Sequence, residues 1–414
     1  MTLLLTLLGG LLGCSAQAAP QPDCQTIRGA QLWTPTGIKD GDLTIASEKI
    51  VAIGNEKLAG WRGDACPVLD MSGTLITPGF IDSLSQLGLV EVEMEAGSRT
   101  GGGGRPSHWV ANGYNPLATA IPVTRVRGVT GVVLTPSGGS ISGQAAFASL
   151  AGQTQGQALH PSPMAMVASM GRAMDTLQVW SEHFEDALEF EQNQAAYAKG
   201  ETREYSLPKA DLQALLPVLR GEMPLVVRVN RASDIEALLR FVRDYPELKL
   251  ILSGAAEAWM HAPALAKAKI PVILDPMNDG PGGFDSLHGR ADNAALLHEA
   301  GVPVILSTFS ALNGRELSQY AGNAVRAGMP YEAAVAAVTS TPAQAFGLEN
   351  YGALKLGAQA SMVAWQGDPL ELRTPVSAVW IDGKAQDLST RQTELLDRYK
   401  SLPGRPIERE LATD

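Results

Sequence analysis

Apolar residues in this chain arrive in short blocks whose spacing changes along its length. From Ile27 to Leu75 they alternate with polar residues and are punctuated by Asp, Gly and Ser. Asp40-Gly41-Asp42 precedes Leu43-Thr44-Ile45, and Ser47-Glu48-Lys49 separates that run from Ile50-Val51-Ala52-Ile53. Alternation broken by turn-forming residues predicts short strands joined in hairpins. The same texture returns near the other end, in Ser361-Met362-Val363-Ala364-Trp365 and again from Val376 to Lys384.

Between these ends the pattern lengthens into apolar strands followed by helical stretches. Gly131-Val132-Val133-Leu134, Leu225-Val226-Val227-Arg228-Val229, Leu248 to Leu252, Pro271 to Leu274 and Val302 to Leu306 read as buried parallel strands. Helical spacing is predicted over Ser233 to Tyr245, around Ala262 to Ala268 and near Asn293 to Ala300. Such alternation predicts a parallel sheet with helical crossovers. On its own it leaves a closed barrel and an open doubly wound sheet equally available. Two stretches interrupt it. Gly101 to Gly104 opens a polar segment running to about Asn115, read as a mobile loop because no Gly-Lys-Ser/Thr ending follows to hold a phosphate. Asp175 to Ala198, rich in Glu and Gln, reads as a long helix with His183 and Asp186 on a solvated face.

Composition narrows the choice of partner. The 414 residues carry a net charge of −11, opposite to the basic footprint that nucleic acid requires. Leu3 to Leu12 form an apolar core too short to span a bilayer, and Ala16-Gln17-Ala18 follows as a small-residue cleavage pattern. The first 19 residues therefore read as a secretory signal, although no Lys or Arg precedes the apolar run. Leu11-Leu12-Gly13-Cys14 also resembles a bacterial lipobox, in which case a lipid on Cys14 is the only membrane attachment. Either way the expected location is periplasmic or extracellular. Removing the signal leaves Cys24 and Cys66, which flank the first strand-rich segment. A disulfide between them suits an exported chain, and two buried free thiols are the alternative.

The order of several motifs resembles that of the amidohydrolase superfamily, closest to its imidazolonepropionase-like members. Pro78-Gly79-Phe80-Ile81-Asp82 is similar to the start of the first barrel strand. Val227 to Ile235 is similar to the strand-five signature Val-His-Ala-x-Arg-Ala-x-Asp-Ile. Ser307-Thr308-Phe309 and Asn313 to Leu317 resemble strand eight and its helix, and Thr339 to Gly347 the helix that ends the barrel. The resemblance implies a (β/α)8 TIM-like barrel over 78–354 and a composite β-sandwich from 20–77 and 355–390, with 391–414 as a C-terminal tail. It further implies hydrolysis of non-peptide carbon–nitrogen bonds with zinc or another divalent metal as cofactor.

The ligand positions depart from that pattern. Leu84 and Gln86 stand where two histidines are expected, Arg228 where a third is, and Ser253 to Trp259 supplies no fourth. Phe309 replaces the aspartate base, and strand four, near Met164 to Val167, shows no bridging Lys or Glu. The six histidines (His108, His160, His183, His261, His288 and His298) lie elsewhere. Arginine repels a cation and phenylalanine accepts no proton, so no metal or other cofactor is expected, and the catalytic residues stay unassigned. Arg228 instead offers fixed positive charge for an anionic small molecule, with Ser85, Gln86, Asn230, Glu257, Asp275, Asn278 and Thr308 expected around the same mouth. The competing expectation pairs Arg228 with Glu257 or Asp275, so that it fills the site. Two further readings stay open: an active C–N hydrolase with relocated machinery, and a structural or partner-binding protein docking through the helical tail Arg391 to Tyr399. Oligomeric state is not readable from the chain.

Overall fold

The computed structural model describes residues 23–400, apart from 62–65, 93, 101 and 279. Residues 1–22, on which the expected signal and Cys14 fall, and those beyond 400 lie outside the described residues.

The two strand-rich ends do meet. Leu75–Pro78 pairs antiparallel with Met362–Trp365, in the register Met362 to Pro78 and Trp365 to Leu75. Trp365 Nε1 donates to Thr77 Oγ1 across that joint at 2.9 Å. Around it the hydrogen bonding runs as one continuous nine-stranded sheet drawn from both ends. Ile27, Leu32, Leu43, Ile45, Ile50 and Ile76 from the first end pack with Met362 and Trp380 from the second. Residues of one facing on each strand thus form a core of their own. Cys24 and Cys66 are joined as a disulfide, with a Cα–Cα distance of 5.3 Å.

Eight strands form the second sheet, curled into a nearly closed barrel. In order they are Phe80–Ser85, Val129–Leu134, Ile141–Ser149, Ala165–Ser169, Leu225–Val229, Leu250–Gly254, Val272–Leu274 and Val304–Leu306. They are called strands one to eight below. From strand four onward, each pairs parallel to the next. Strand three departs from the regular alternation, since it runs antiparallel to both strand two and strand four. A hairpin through Gly138 and Gly139 replaces the helical crossover there, and the alternation read from sequence had no place for it. Strands one and eight meet through side chains, with Ser307 Oγ and the Thr308 backbone N–H both donating to Asp82 Oδ1, at 2.5 and 3.0 Å.

Two sequence expectations are corrected. The glycine-rich loop is pinned, not free: Gly103 N donates to Ser137 O and Gly104 N to Ser142 O, each at 2.8 Å. A Cβ on Gly103 would sit 2.1 Å from Ser142 O, so only glycine permits the approach. Arg105 and the Ser107 N–H then bind buried Asp211, fixing the rest of the segment. The long helix runs over Ala173–Gln192, with Trp180, Phe184, Ala187 and Phe190 forming its buried stripe. Asp186 lies in that stripe, only 1% exposed, where it accepts from Ser206 N and Arg203 Nη2 at 2.6 and 2.5 Å. Acidic neighbours made it look solvated, but a loop returning over the helix supplies its partners. Among the described residues no helix is long and apolar enough to cross a membrane. The tail helix Arg391–Tyr399 buries none of its residues.

Candidate functional site at the barrel mouth

Strand alternation decides which side chains reach the mouth. Ile81, Val133, Val226, Ile251, Ile273 and Ile305 pack together inside the bore. Two positions further toward the C-terminal ends, with the same facing, come Thr135, Arg228, Ser253, Asp275 and Ser307. Arg228 is the exposed residue of a strand whose other members are buried. Strand one breaks its parity through a register shift between Asp82 and Ser85. A shift of this kind moves every later side chain to the opposite face. Leu84 and Gln86 are thereby turned to the mouth, whereas Ser85 is turned away.

Two cavities open at this end of the barrel. One, of about 490 Å³, is lined by Leu84, Gln86, Thr135, Ser142, Ser253 and Arg228, among others. The other, of about 130 Å³, is lined by Arg228, Asn230, Asp275, Asn278, Asn293 and neighbouring backbone. Arg228 and Phe309 line both, so they form the wall between the two. Phe309 sits at φ 52°, and Ala255, just past strand six, at φ 46°. Such left-handed conformations cost a non-glycine residue of order 1 kcal/mol or more, and they cluster where loops present a site. A larger cavity of about 710 Å³ lies at the opposite end, among Met164, Pro224, Leu250 and Pro271 at the starts of strands. Barrels of this type place their sites at the C-terminal ends of strands, so the mouth is the stronger candidate.

Of the residues expected there, Gln86, Arg228, Asn230, Asp275 and Asn278 do line the mouth. Three do not. Ser85 is 1% exposed and donates to Ser310 O at 3.1 Å, because the register shift reversed its facing. Thr308 shares the facing of Asp82 and donates to its Oδ2 at 2.6 Å. Glu257, 3% exposed, accepts from Ala232 N at 2.8 Å and from His288 N at 3.0 Å. It thereby caps the helix Ala232–Phe241 and ties down the loop after strand seven. Burial pushes the Glu257 carboxyl upward, but these amides and the His288 ring outweigh it and hold its pKa below the ordinary value. Glu257 is thus occupied by others and is not the partner of Arg228. Asn230 helps to hold the same loop, donating through Nδ2 to Asp285 Oδ2 at 2.8 Å.

Two residues escaped the sequence reading. Asp82 is fully buried, and burial raises its pKa despite three hydrogen bonds. A carboxylate inside an apolar strand was the available signal, since such a group needs donors from elsewhere in the fold. Asn293 is 7% exposed with its Oδ1 unpartnered, and nothing in the local sequence marks it.

The mouth can be tested against the metal that the resemblance implies. Zinc sites use three or four nitrogen, sulfur or carboxylate donors. The corresponding positions hold Leu84, Gln86, Arg228, Ser253 and Phe309, and strand four has neither Lys nor Glu. Among the described residues no three His, Cys, Asp or Glu side chains gather into a group able to hold an ion. None of the six histidines lines either mouth cavity. The residues present do not fit a conventional divalent site.

Comparison with known proteins places this geometry. Residues 268–386 match the amidohydrolase family model. The amidohydrolase tasK of Hapsidospora irregularis is 26% identical over 192 residues, which is 45% of this chain and 20% of that protein. The matched part therefore spans about a fifth of that relative's length. An amidohydrolase structure from Thermotoga maritima MSB8 superposes with a TM-score of 0.79 at 22% identity, covering 88% of this chain and 99% of that one. An adenosine deaminase from Xanthomonas campestris, solved with bound zinc, superposes with a TM-score of 0.51 at 14% identity, over 92% and 98% of the two chains. In sequence, its C-terminal part is thus similar to the amidohydrolase family, and its barrel with the composite end sheet shares the fold of the amidohydrolase structure.

Proposed function

We propose that the barrel mouth binds a small carboxylate-bearing molecule through Arg228, and that metal-dependent hydrolysis has been lost from it. The observation that carries this reading is Arg228 itself, an exposed guanidinium at the end of strand five on the wall of an open cavity. That cavity is lined by the hydroxyl-bearing Thr135, Ser137, Ser142, Ser169 and Ser253 and by Gln86, with no Asp or Glu among its residues. Fixed charge on a planar fork, surrounded by neutral donors, suits a carboxylate. Relocated C–N hydrolysis has less support, since Phe309 stands at the base position and the carboxylates of Asp82, Glu257 and Asp275 all accept structural hydrogen bonds. A purely structural role is disfavoured because the mouth is open at about 490 Å³ and not packed shut. The Cys24–Cys66 bridge supports export to an oxidising compartment.

The test joins metal analysis of the chelator-free purified protein with calorimetric titration by levulinate, a simple carboxylate. Metal well below one equivalent is expected, together with saturable binding that falls about 100-fold in Arg228→Ala, the scale of a charge-assisted hydrogen-bonded pair. Stoichiometric zinc, manganese or iron with chelator-sensitive amide hydrolysis would overturn the proposal and restore the family's chemistry.

A further inference from the structure

The hollow of about 710 Å³ at the opposite end of the barrel differs in chemistry from the mouth. Its floor is apolar, drawn from Met164, Met223, Leu250, Ile270 and Phe346 among others. These are core residues, between 3% and 9% exposed, and Met164 and Phe346 belong to the cluster that fills the bore. The hollow thus opens onto the lower end of the core. Apolar surface of this kind is costly to leave wet, and a hydrocarbon chain that displaces the water recovers that cost. Four side chains able to carry charge line the same hollow: Lys249, Lys269, Glu222 and His160. Lys249 and Lys269 stand three residues before Leu252 and Val272, which pair across strands six and seven, so they hold matching positions at neighbouring strand starts. Both are exposed, and among the described residues neither has an ion pair or a side-chain hydrogen bond. Lys269 also sits at φ 52°, just past the helix Ala262–Lys267, where glycine is the usual residue. Glu222 offsets one of the two cations without pairing to either, and His160 adds charge only when protonated. What the hollow offers is therefore an apolar floor beside one positive charge in excess.

We infer that this hollow binds an acyl-chain carboxylate, with the chain on the apolar floor and the carboxylate held by Lys249 and Lys269 at the strand starts. A cationic amphiphile would face two like charges there, and a short carboxylate would leave the floor wet. The hollow and Arg228 lie at opposite ends of the barrel, so the inference does not rest on the reading of the mouth.

Calorimetric titration of the full chain with decanoate, decylamine and acetate, each below its micelle-forming concentration, reads chain and charge separately. Decanoate is expected to bind saturably and about tenfold more tightly than decylamine, which has the same chain and the opposite charge. Acetate should give no saturation that depends on the lysines. Lys249→Gln combined with Lys269→Gln should weaken decanoate about tenfold, a factor of a few for each partly exposed charge contact. Both side chains are exposed, so the double variant is expected to fold. Arg228→Ala should leave decanoate binding unchanged. Equal affinities for decanoate and decylamine would reduce the hollow to a bare apolar surface and overturn the inference. Binding lost in Arg228→Ala but kept in the lysine variant would place the acid at the mouth and overturn it as well. If decanoate does not bind below millimolar concentration the inference falls, and sedimentation at twice the chain mass would then assign the hollow to a second copy.

Discussion

The seam between strands one and eight and the mouth above strand five each hold a charged-type side chain, and they treat it in opposite ways. At the seam, Asp82 is fully buried, and both its oxygens accept from Ser307 and Thr308. At the mouth, Arg228 is exposed between two cavities. A polar group whose hydrogen-bonding capacity is filled by its own chain contributes to the fold, whereas one that faces open space is available to a ligand. The comparison predicts which substitutions unfold the protein and which only empty it.

Asp82→Ala carries the largest expected effect. It strips the acceptor from Ser307 and Thr308 and leaves a gap where strand eight meets strand one. A loss of about 3–4 kcal/mol of stability is expected, read as the urea midpoint. A shift below about 1 kcal/mol would mean that strands one and eight meet as firmly without the carboxylate. Arg228→Ala sharpens the contrast. Its stability should stay within about 0.5 kcal/mol of wild type, as for an exposed site, while carboxylate affinity falls about 100-fold. Marked destabilisation would show that Arg228 belongs with Asp82 as a structural group.

Glu257 lies between the two cases, buried like Asp82 but placed to hold a loop at the mouth. Glu257→Gln keeps the shape and weakens the bonds to Ala232 N and to His288. About 1 kcal/mol of stability should be lost, the scale of one charge-assisted bond. Ligand affinity should fall with it, because the loop after strand seven forms the wall of the smaller cavity. Unchanged affinity would separate that loop from binding.

The fold was legible because its signals are additive. From strand five onward the barrel strands are built on buried Val, Ile and Leu, and the end strands carry turn residues between them. The site was less legible, and for identifiable reasons. Leu84 and Gln86 were placed at the mouth by motif, but the fate of Ser85 depended on a register shift that no single residue announces. Thr308 and Glu257 were expected to face a ligand because they are polar residues near strand ends. Their partners, Asp82 and the amides of Ala232 and His288, are distant in sequence and adjacent only after folding. The antiparallel third strand escaped for a related reason. Gly138-Gly139 marks a turn, but pairing direction is set by what lies on either side of Ile141–Ser149.

The smallest effect concerns pH and has opposite signs at the two kinds of carboxylate. Burial raises the Asp82 pKa above its ordinary 3.8, and the hydrogen bonds from Ser307 and Thr308 offset that only in part. Its contribution to stability is therefore fully present below about pH 3.8 and is lost as pH rises through the raised value. Glu257 and Asp211 differ because burial, which raises both, is outweighed by hydrogen bonds, from Ala232 N and His288 to the first and from Ser107 and Arg105 to the second, so that their pKa values are lowered. Their contributions are present above the ordinary values of 4.5 and 3.8 and are lost as pH falls through the lowered ones. Asp82→Asn tests the distinction with little change of shape. An amide Oδ1 can still accept from Ser307 and from Thr308 N, and Nδ2 can donate to Thr308 Oγ1, but nothing titrates. The stability of Asp82→Asn relative to wild type should therefore improve as pH is raised from 4 to 7, read from urea midpoints at each pH. Acid unfolding driven by Glu257 and Asp211 should stay the same in both proteins. Parallel profiles from pH 4 to 7 would place Asp82 with the other carboxylates and remove the contrast between a carboxyl whose pKa burial raises and carboxyls whose pKa hydrogen bonds lower.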